Sequence, residues 1–219
     1  MPQWNPAVPD TTTNRAALVR RGQLYSRLTL AYNACEGAAA IIAGMMAGSV
    51  ALVGFGLDSV IEVASTIAAL WRLRSDGDEA RREHVERRAL RIIGFCFLAL
   101  ALYITADASH ALWMHEVPAR TLFGMLVAAL SVIIMPLLAR AKRGVARSLG
   151  SRALEADATQ TDLCVYLSAI VLGGLALNAL FGWWWADPVA ALVMVPIIVK
   201  EGLAGISGDA SCDNCASVS

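Results

Sequence analysis

The chain has 219 residues, of which 57% are hydrophobic and 16% are charged, and its mean hydropathy is +0.57. A soluble domain of this size cannot bury so much apolar surface, so the composition excludes an ordinary soluble globular protein and indicates an all-α, polytopic membrane protein. Lysine and arginine together number 18, as do aspartate and glutamate, and this balance excludes the strongly basic surface that is typical of nucleic-acid binding.

The N-terminal segment is polar and lacks the basic, apolar and small-residue order of a cleaved signal peptide, so we expect residues 1–23 to remain as a cytoplasmic segment. Apolar runs that allow membrane helices of about 20 residues follow one another after it. They lie at about residues 25–47, 50–73, 89–113, 119–140, 156–180 and 184–206. The sequence therefore predicts a six-helix transmembrane domain over residues 24–206 and a short cytoplasmic tail over residues 207–219.

Basic residues mark one end of the predicted bundle. They concentrate in the N-terminal segment, in the charged loop Arg72–Arg88 between the second and third spans, and in the loop Ala141–Arg152 between the fourth and fifth. Arg120 is the basic residue of the opposite end. Because arginine and lysine favour the cytoplasmic side, we predict that both termini are cytoplasmic. The tryptophans of the predicted outer aromatic belt are Trp113, Trp183, Trp184 and Trp185.

Two carboxylates interrupt the second predicted span, in the stretch GFGLDSVIEVAS at residues 54–65. Asp58 and Glu62 are four positions apart, so both lie on one face of a helix. Two like charges at membrane depth repel each other unless a divalent cation or protons compensate for them. A transporter that exchanges metal ions for protons needs both abilities in one site. The alternative is a pair of carboxylic acids that are hydrogen-bonded to neighbouring helices.

A second polar group opens the fifth predicted span, in the stretch EADATQTDLCVYLS at residues 155–168. Four of its residues have the i, i+3, i+4, i+7 spacing of one helical face, whereas Asp162 points elsewhere. The four are Asp157, Gln160, Thr161 and Cys164. Counting from the basic ends at about 1.5 Å per residue puts Glu62, Gln160 and Cys164 roughly 15, 12 and 18 Å deep, so the two groups can meet near the membrane midplane. Oxygen and thiolate ligands together favour zinc and similar ions over magnesium.

These stretches resemble a known family. AGSVALVGFGLDSVIEVAS resembles the second-helix signature of the cation diffusion facilitators, and EADATQTDLC followed by GWWWADPVAALVMVPIIV resembles their fifth and sixth helices. The resemblance covers residues 24–206 and implies a homodimer that exports zinc or related divalent ions from the cytoplasm, usually in exchange for protons. We therefore expect a multi-pass protein of the cell membrane without enzymatic activity or a prosthetic group, in a short form that lacks the family's usual cytoplasmic metal-binding domain.

The fifth predicted span departs from the family pattern, which carries His-x-x-x-Asp. Alignment on the Ala-Asp-Ala tripeptide at the start of this span places Gln160 and Cys164 at those two positions. Alignment on Asp162 instead places Ala158 at the histidine position, so that one ligand is lost. We prefer the first register, and the choice of zinc, cobalt or cadmium stays open. The predicted central ligands are Asp58, Glu62, Gln160 and Cys164, with Asp157 at the cytoplasmic entrance.

Three weaker signals lie outside that set. Glu36 in the first span, with Asn33 on the same face, is a further ligand, a proton carrier or an acid bonded to a neighbouring helix. Asp187, followed by proline, is typical of an N-cap for the sixth helix. Cys212 and Cys215 form a C-x-x-C pair, which is half a zinc site at most or a flexible end without function.

Other functions are compatible with the same six spans. A membrane metal sensor or adaptor would use the same site without flux. An organic-cation exporter would use Asp58 and Glu62 alone. A cofactor-binding membrane oxidoreductase is disfavoured, because the spans do not supply paired histidines as axial ligands.

Overall fold

A computed structural model of the protein describes residues 11–74, 79–149 and 152–207. Its elements are the helices α1 (Thr11–Ala47), α2 (Val50–Arg74), α3 (Glu79–Met114), α4 (Leu122–Leu149), α5 (Arg152–Phe181) and α6 (Ala186–Ser207). Each of these 6 helices contains a stretch that is long and apolar enough to cross a membrane. The prediction of an all-α protein with six spans is therefore confirmed. The Cys212 and Cys215 pair and most of the predicted tail lie outside the described residues.

The helices extend beyond the predicted spans at the arginine-rich end of the bundle. The prediction of loops over Arg72–Arg88 and Ala141–Arg152 is wrong for most of both segments. Helix α3 already begins at Glu79, and α4 continues to Leu149, so that it covers most of the second segment. Hydropathy reveals only the membrane-embedded part of a helix, whereas the alanine, arginine and leucine residues of these segments favour continued helix outside it.

Packing also stabilises these extensions. Val145, Ala146 and Leu154 form a small buried cluster, and Tyr25 and Leu149 pack against it. The cluster joins the ends of α1, α4 and α5, so these helices continue as a bundle beyond the apolar stretch. Helix α1 likewise begins at Thr11, within the polar segment of residues 1–23 that the sequence predicts to be cytoplasmic.

Helix α2 lies at the centre of the bundle, because it packs against α1, α3, α5 and α6. Helix α4 packs against α1 and α5, and α3 packs against α6. Large apolar side chains fill the interior, among them Leu52, Phe55, Ile104, Met135, Leu167 and Met194. A side chain on the inner stripe of α2 is therefore surrounded by other helices.

A tight turn brings α1 and α2 against each other. Gly48 has a φ of +65°, which glycine adopts without strain, and it reverses the chain between the two helices. A Cβ atom at Gly44 would lie 2.7 Å from the Val53 Cγ2 atom, and one at Gly37 would lie 3.1 Å from the Gly56 carbonyl oxygen. The two backbones therefore approach closely, and the face of α1 that contains Glu36 meets α2 directly.

Candidate functional site

Helix α2 presents the two predicted carboxylates to the interior. Asp58 is 6% exposed and Glu62 is 1% exposed, and the hydroxyls of Ser59 and Thr66 are buried beside them. Residues 58, 62 and 66 are each one turn apart and form a single stripe. Asp58 and Glu62 thus share a buried face, as the sequence predicts, in a helix that is otherwise largely apolar.

Helix α1 adds a third carboxylate to this region. Glu36 and Asn33 are both buried, and the Ser59 hydroxyl donates a hydrogen bond of 3.5 Å to the Glu36 Oε2 atom. The Asn33 amide faces Glu62 without a hydrogen bond of normal geometry. Asp58 lies one turn from Glu62 and adjoins Ser59, which contacts Glu36. Three acidic side chains from two helices therefore share one part of the core.

Helix α5 brings a thiol to the same layer. Cys164 is completely buried, and its Sγ atom lies 3.9 Å from the Glu36 Oε2 atom and 4.0 Å from the Ser131 Oγ atom of α4. Ser168, one turn further along α5, donates a hydrogen bond of 2.9 Å to Ser131. Cys164 therefore contacts the acid of α1 and a hydroxyl of α4.

Gln160 lies at the edge of this region. It is half-buried, whereas Asp157, Thr161 and Cys164 are fully buried on the inner face of α5. Its Oε1 atom accepts a hydrogen bond from the Ser65 hydroxyl of α2, and its Nε2 atom has no partner. The predicted stripe is thus present, but its inner face consists of Asp157, Thr161 and Cys164.

Asp157 is bound to a lysine that the sequence predicts to lie in a loop. The Lys142 Nζ atom of α4 lies 2.9 Å from the Asp157 Oδ2 atom, and both side chains are buried. Ser26 donates to the Oδ2 atom at 3.1 Å, and Thr66 donates to the Oδ1 atom at 3.0 Å. Both oxygens of the Asp157 carboxylate therefore have partners, supplied by α1, α2 and α4.

Lys142 also connects this ion pair to Glu62 of α2. Its Nζ atom donates to the Thr161 Oγ1 atom at 3.0 Å, and the Thr161 hydroxyl donates to the Glu62 Oε1 atom at 2.9 Å. The assignment of Lys142 to a cytoplasmic loop is wrong, because α4 continues past it and turns it inward. Lys142 shares one face of α4 with Ser131, Met135 and Ala139 at helical spacing, but only the structure shows that this face is buried.

The neighbouring charged pair lies outside the polar core. Arg143 is hydrogen-bonded and ion-paired to Asp162, and about a third of each side chain is exposed. Asp162 thus points away from the inner stripe of α5, as the sequence predicts. Both pairs join α4 to α5, but the Lys142–Asp157 pair is buried and the Arg143–Asp162 pair is partly exposed.

Five buried polar atoms in the described residues lack a hydrogen-bond partner. They are Asn33 Oδ1 and Nδ2, Glu36 Oε1, Glu62 Oε2 and Gln160 Nε2. All belong to the region where α1, α2 and α5 meet. Within residues 11–74, 79–149 and 152–207, no three histidine, cysteine, aspartate or glutamate side chains form a closed metal-binding group. The acids and the thiol are therefore neighbours with free ligand atoms and not a preassembled cage.

The opposite end of the bundle corrects the prediction for Asp187. The sequence predicts that it caps α6, but α6 begins one residue earlier, at Ala186. Asp187 accepts a hydrogen bond of 2.5 Å from the Ser49 hydroxyl and one of 3.4 Å from the Ala51 amide. Ser49 in turn accepts from the Leu52 amide at 3.1 Å, so both side chains cap α2. Tertiary packing places Asp187 beside the start of a helix more than a hundred residues away.

Six apolar helices around a buried group of acids, a thiol and a lysine define a membrane protein with an intramembrane polar site, and such sites are associated with ion or substrate pathways. The model of the cation efflux transmembrane domain matches residues 27–207, and the chain belongs to this family. The resemblance to the cation diffusion facilitators is thereby confirmed.

Curated relatives agree with this assignment. The chain is 34% identical over 179 residues to transmembrane protein 163 of Xenopus laevis, and the aligned region covers 81% of this chain and 63% of that protein. It is 27% identical over 180 residues to an uncharacterized transporter of Methanocaldococcus jannaschii, which covers 79% of this chain and 63% of that protein. An uncharacterized transporter of Synechocystis is 28% identical over 151 residues, which is 66% of this chain and 49% of that protein. The chain thus spans less than two thirds of the length of these relatives.

Proposed function

We propose that the protein is a transporter that carries divalent cations of the zinc class across the membrane. Its family and two relatives that are named as transporters support cation transport. The observation that carries the choice of site is the pair of partnerless carboxylate oxygens, Glu36 Oε1 and Glu62 Oε2, inside the bundle. Buried oxygens without partners are costly, and a divalent cation supplies the positive charge that they lack.

The proposed ligands belong to three helices. Glu36 comes from α1, Asp58 and Glu62 come from α2, and Gln160 and Cys164 come from α5. A tetrahedral zinc ion, with bonds of about 2.3 Å to sulfur and about 2.1 Å to oxygen, separates two such ligand atoms by roughly 3.6 Å. The 3.9 Å between the Cys164 Sγ and Glu36 Oε2 atoms is close to that separation. A small rearrangement therefore suffices for both to bind one ion.

The chemistry of the ligands favours a borderline or soft ion. A thiolate at Cys164 binds zinc, cadmium or cobalt in preference to magnesium or calcium. Gln160 contributes through its amide oxygen. Rotation of the amide by about 180° exchanges the positions of the oxygen and the partnerless Nε2 atom. The hydrogen bond to Ser65 is kept, because the Ser65 hydroxyl can donate or accept. The set thus combines one sulfur with several oxygens.

Asp157 serves the entrance and not the central site in this proposal. Its carboxylate is held by Lys142, Ser26 and Thr66, so both oxygens are already engaged. It lies one turn closer than Thr161 to the arginine-rich end of α5. A cation that enters from that end reaches Asp157 before it reaches Glu62.

Charge balance supports exchange with protons. Glu36, Asp58 and Glu62 share one region, and three uncompensated negative charges at membrane depth are strongly disfavoured. We therefore propose that the metal-free site holds protons, which a divalent cation displaces on binding. An inward proton gradient would then drive the metal ion out of the cytoplasm.

The orientation follows from the positive-inside rule. One end of the bundle carries the exposed arginines Arg20, Arg21, Arg27, Arg91, Arg140 and Arg147. We propose that this end faces the cytoplasm, that the protein resides in the cell membrane and that export is its direction of transport. A homodimeric assembly is proposed from the family resemblance alone.

The test is flux in proteoliposomes that contain the purified protein. Internal metal-sensitive and pH-sensitive dyes report Zn²⁺ and proton movement, with and without an imposed pH gradient. We expect zinc flux that accelerates with an opposing proton gradient and counter-movement of protons. Zinc flux that does not depend on the pH gradient would instead indicate a passive facilitator. Zinc binding without any flux would instead indicate a sensor or adaptor.

A further inference from the structure

The Lys142–Asp157 ion pair has no place among the proposed ligands, although it is the most deeply buried charge pair described. Lys142 is 0% exposed and Asp157 is 3% exposed, and their charged atoms are 2.9 Å apart. Hydrogen bonds from Ser26 and Thr66 to Asp157 add α1 and α2 to the contact between α4 and α5. Side chains from four helices thus meet in one layer of the bundle, which consists of Ser26, Thr66, Lys142 and Asp157.

This layer lies between Glu62 and the arginine-rich end. On α5, Asp157 precedes Thr161 by one turn, and on the antiparallel α2, Thr66 follows Glu62 by one turn. The ion pair is therefore about 5.4 Å nearer to that end than the layer of Glu62 and Thr161. The contacts are continuous, because Lys142 donates to Thr161 and Thr161 donates to Glu62.

A cation that approaches Glu62 through this layer meets the Lys142 ammonium, which contacts both Asp157 and Thr161. Like charges repel strongly in a region from which water is excluded. A buried ion pair is weak evidence for a role in stability, since well-packed apolar residues in its place often give equal or greater stability. A charged pair is instead suited to a layer that separates and reforms, because each partner can exchange its counter-charge for another ion.

We propose that Lys142 is a tethered cation that, held by Asp157, closes the path between the arginine-rich end and Glu62. It is a positioning residue of the transport cycle, and the proposal rests on the proposed function because it takes Glu62 as part of the cation site. Opening requires the ammonium to leave Asp157, which frees this carboxylate for the incoming divalent cation. When Lys142 returns, it separates the site from the entrance.

The test uses Cys164 as a buried reporter behind this layer. Cys35, Cys96, Cys212 and Cys215 are replaced by serine in the full-length chain, which leaves one thiol. The charge-neutral variant K142Q/D157N avoids a buried unpaired charge. A small, charged, membrane-impermeant methanethiosulfonate reagent is applied to metal-free vesicles of known orientation, from either side.

We expect K142Q/D157N to accelerate labelling of Cys164 from the arginine-rich side by about tenfold or more, which corresponds to about 1.4 kcal/mol in an opening equilibrium. Labelling from the opposite side should be unchanged. K142R retains the charge and should keep Cys164 protected. The matched control R143Q/D162N neutralises the adjacent, partly exposed pair and should also leave Cys164 protected.

Two outcomes would overturn the proposal. Unchanged labelling in K142Q/D157N would show that the pair does not close the path. Faster labelling from both sides would show that the pair only clamps the helices together. Neither outcome depends on zinc or on flux, so failure of this inference is distinguishable from failure of the proposed transport function.

Discussion

The Cys164 Sγ atom lies 3.9 Å from the Glu36 Oε2 atom, although 128 positions separate the two residues in the chain. The contact joins the first and fifth helices beside the acids of the second helix. It extends the predicted pair of Asp58 and Glu62 to a group of proposed ligands from three helices. It also makes the thiol a direct neighbour of a carboxylate that has a free oxygen atom.

Neutral, isosteric variants test the two acids of α2. Asp58→Asn and Glu62→Gln each remove a charge that a divalent cation requires, so we expect zinc flux to fall to the level of protein-free vesicles. The measurement is flux in proteoliposomes at matched protein content. Asp107→Asn is the control, because Asp107 is an acid of α3 that is hydrogen-bonded to Tyr103 and lies outside the site. Wild-type flux in either site variant would contradict the ligand assignment.

The contact between Glu36 and Cys164 predicts non-additive effects on zinc binding. We expect Glu36→Gln and Cys164→Ser each to weaken zinc binding, and the double variant to lose less than the sum of the two. Side chains that are in contact typically show a coupling energy of about 0.5–3 kcal/mol. Titration calorimetry on the four proteins measures it directly. Strict additivity would place the two side chains on separate ions or on none.

The thiol predicts the order of metal preference. Cys164→Asp replaces sulfur with oxygen, so we expect the preference to shift from zinc and cadmium toward harder ions such as manganese. Competition flux assays with pairs of ions measure the shift. Ser168→Ala, one turn away on α5, should leave the order unchanged. An unaltered order in Cys164→Asp would mean that the sulfur does not bind the transported ion.

Asp187 predicts a loss of stability without a change in the site. Asp187→Ala leaves the Ser49 hydroxyl and the Ala51 amide without their acceptor, which costs about 1–3 kcal/mol in the free energy of unfolding. Thermal unfolding in detergent, at a fixed detergent concentration, should show a lower midpoint. Glu116→Gln, at the same end of the bundle, alters an exposed pair with His110 and should have little effect. Equal midpoints for Asp187→Ala and the wild type would show that this cap contributes nothing.

Much of the architecture is encoded locally in the sequence. Six apolar runs predict six spans because membrane helices require about 20 apolar residues each. The spacing of Asp58 and Glu62, and of Asp157, Thr161 and Cys164, places each group on one helical face because the α-helix has a fixed period. These properties depend only on residues that are near one another in the chain, so the sequence by itself determined them.

The tertiary structure decided which faces meet. The period of α4 allows Lys142 to lie inside or outside the bundle, and only packing against α5 turns it toward Asp157. Asp187 has the sequence context of a cap for its own helix, but because α6 approaches α2 closely, it accepts a hydrogen bond from Ser49 instead. Glu36 likewise meets Cys164 only because α1 and α5 converge on the face of α2 that contains the acids. The rotation of a helix about its axis is set by contacts with distant segments, and no local pattern contains that information.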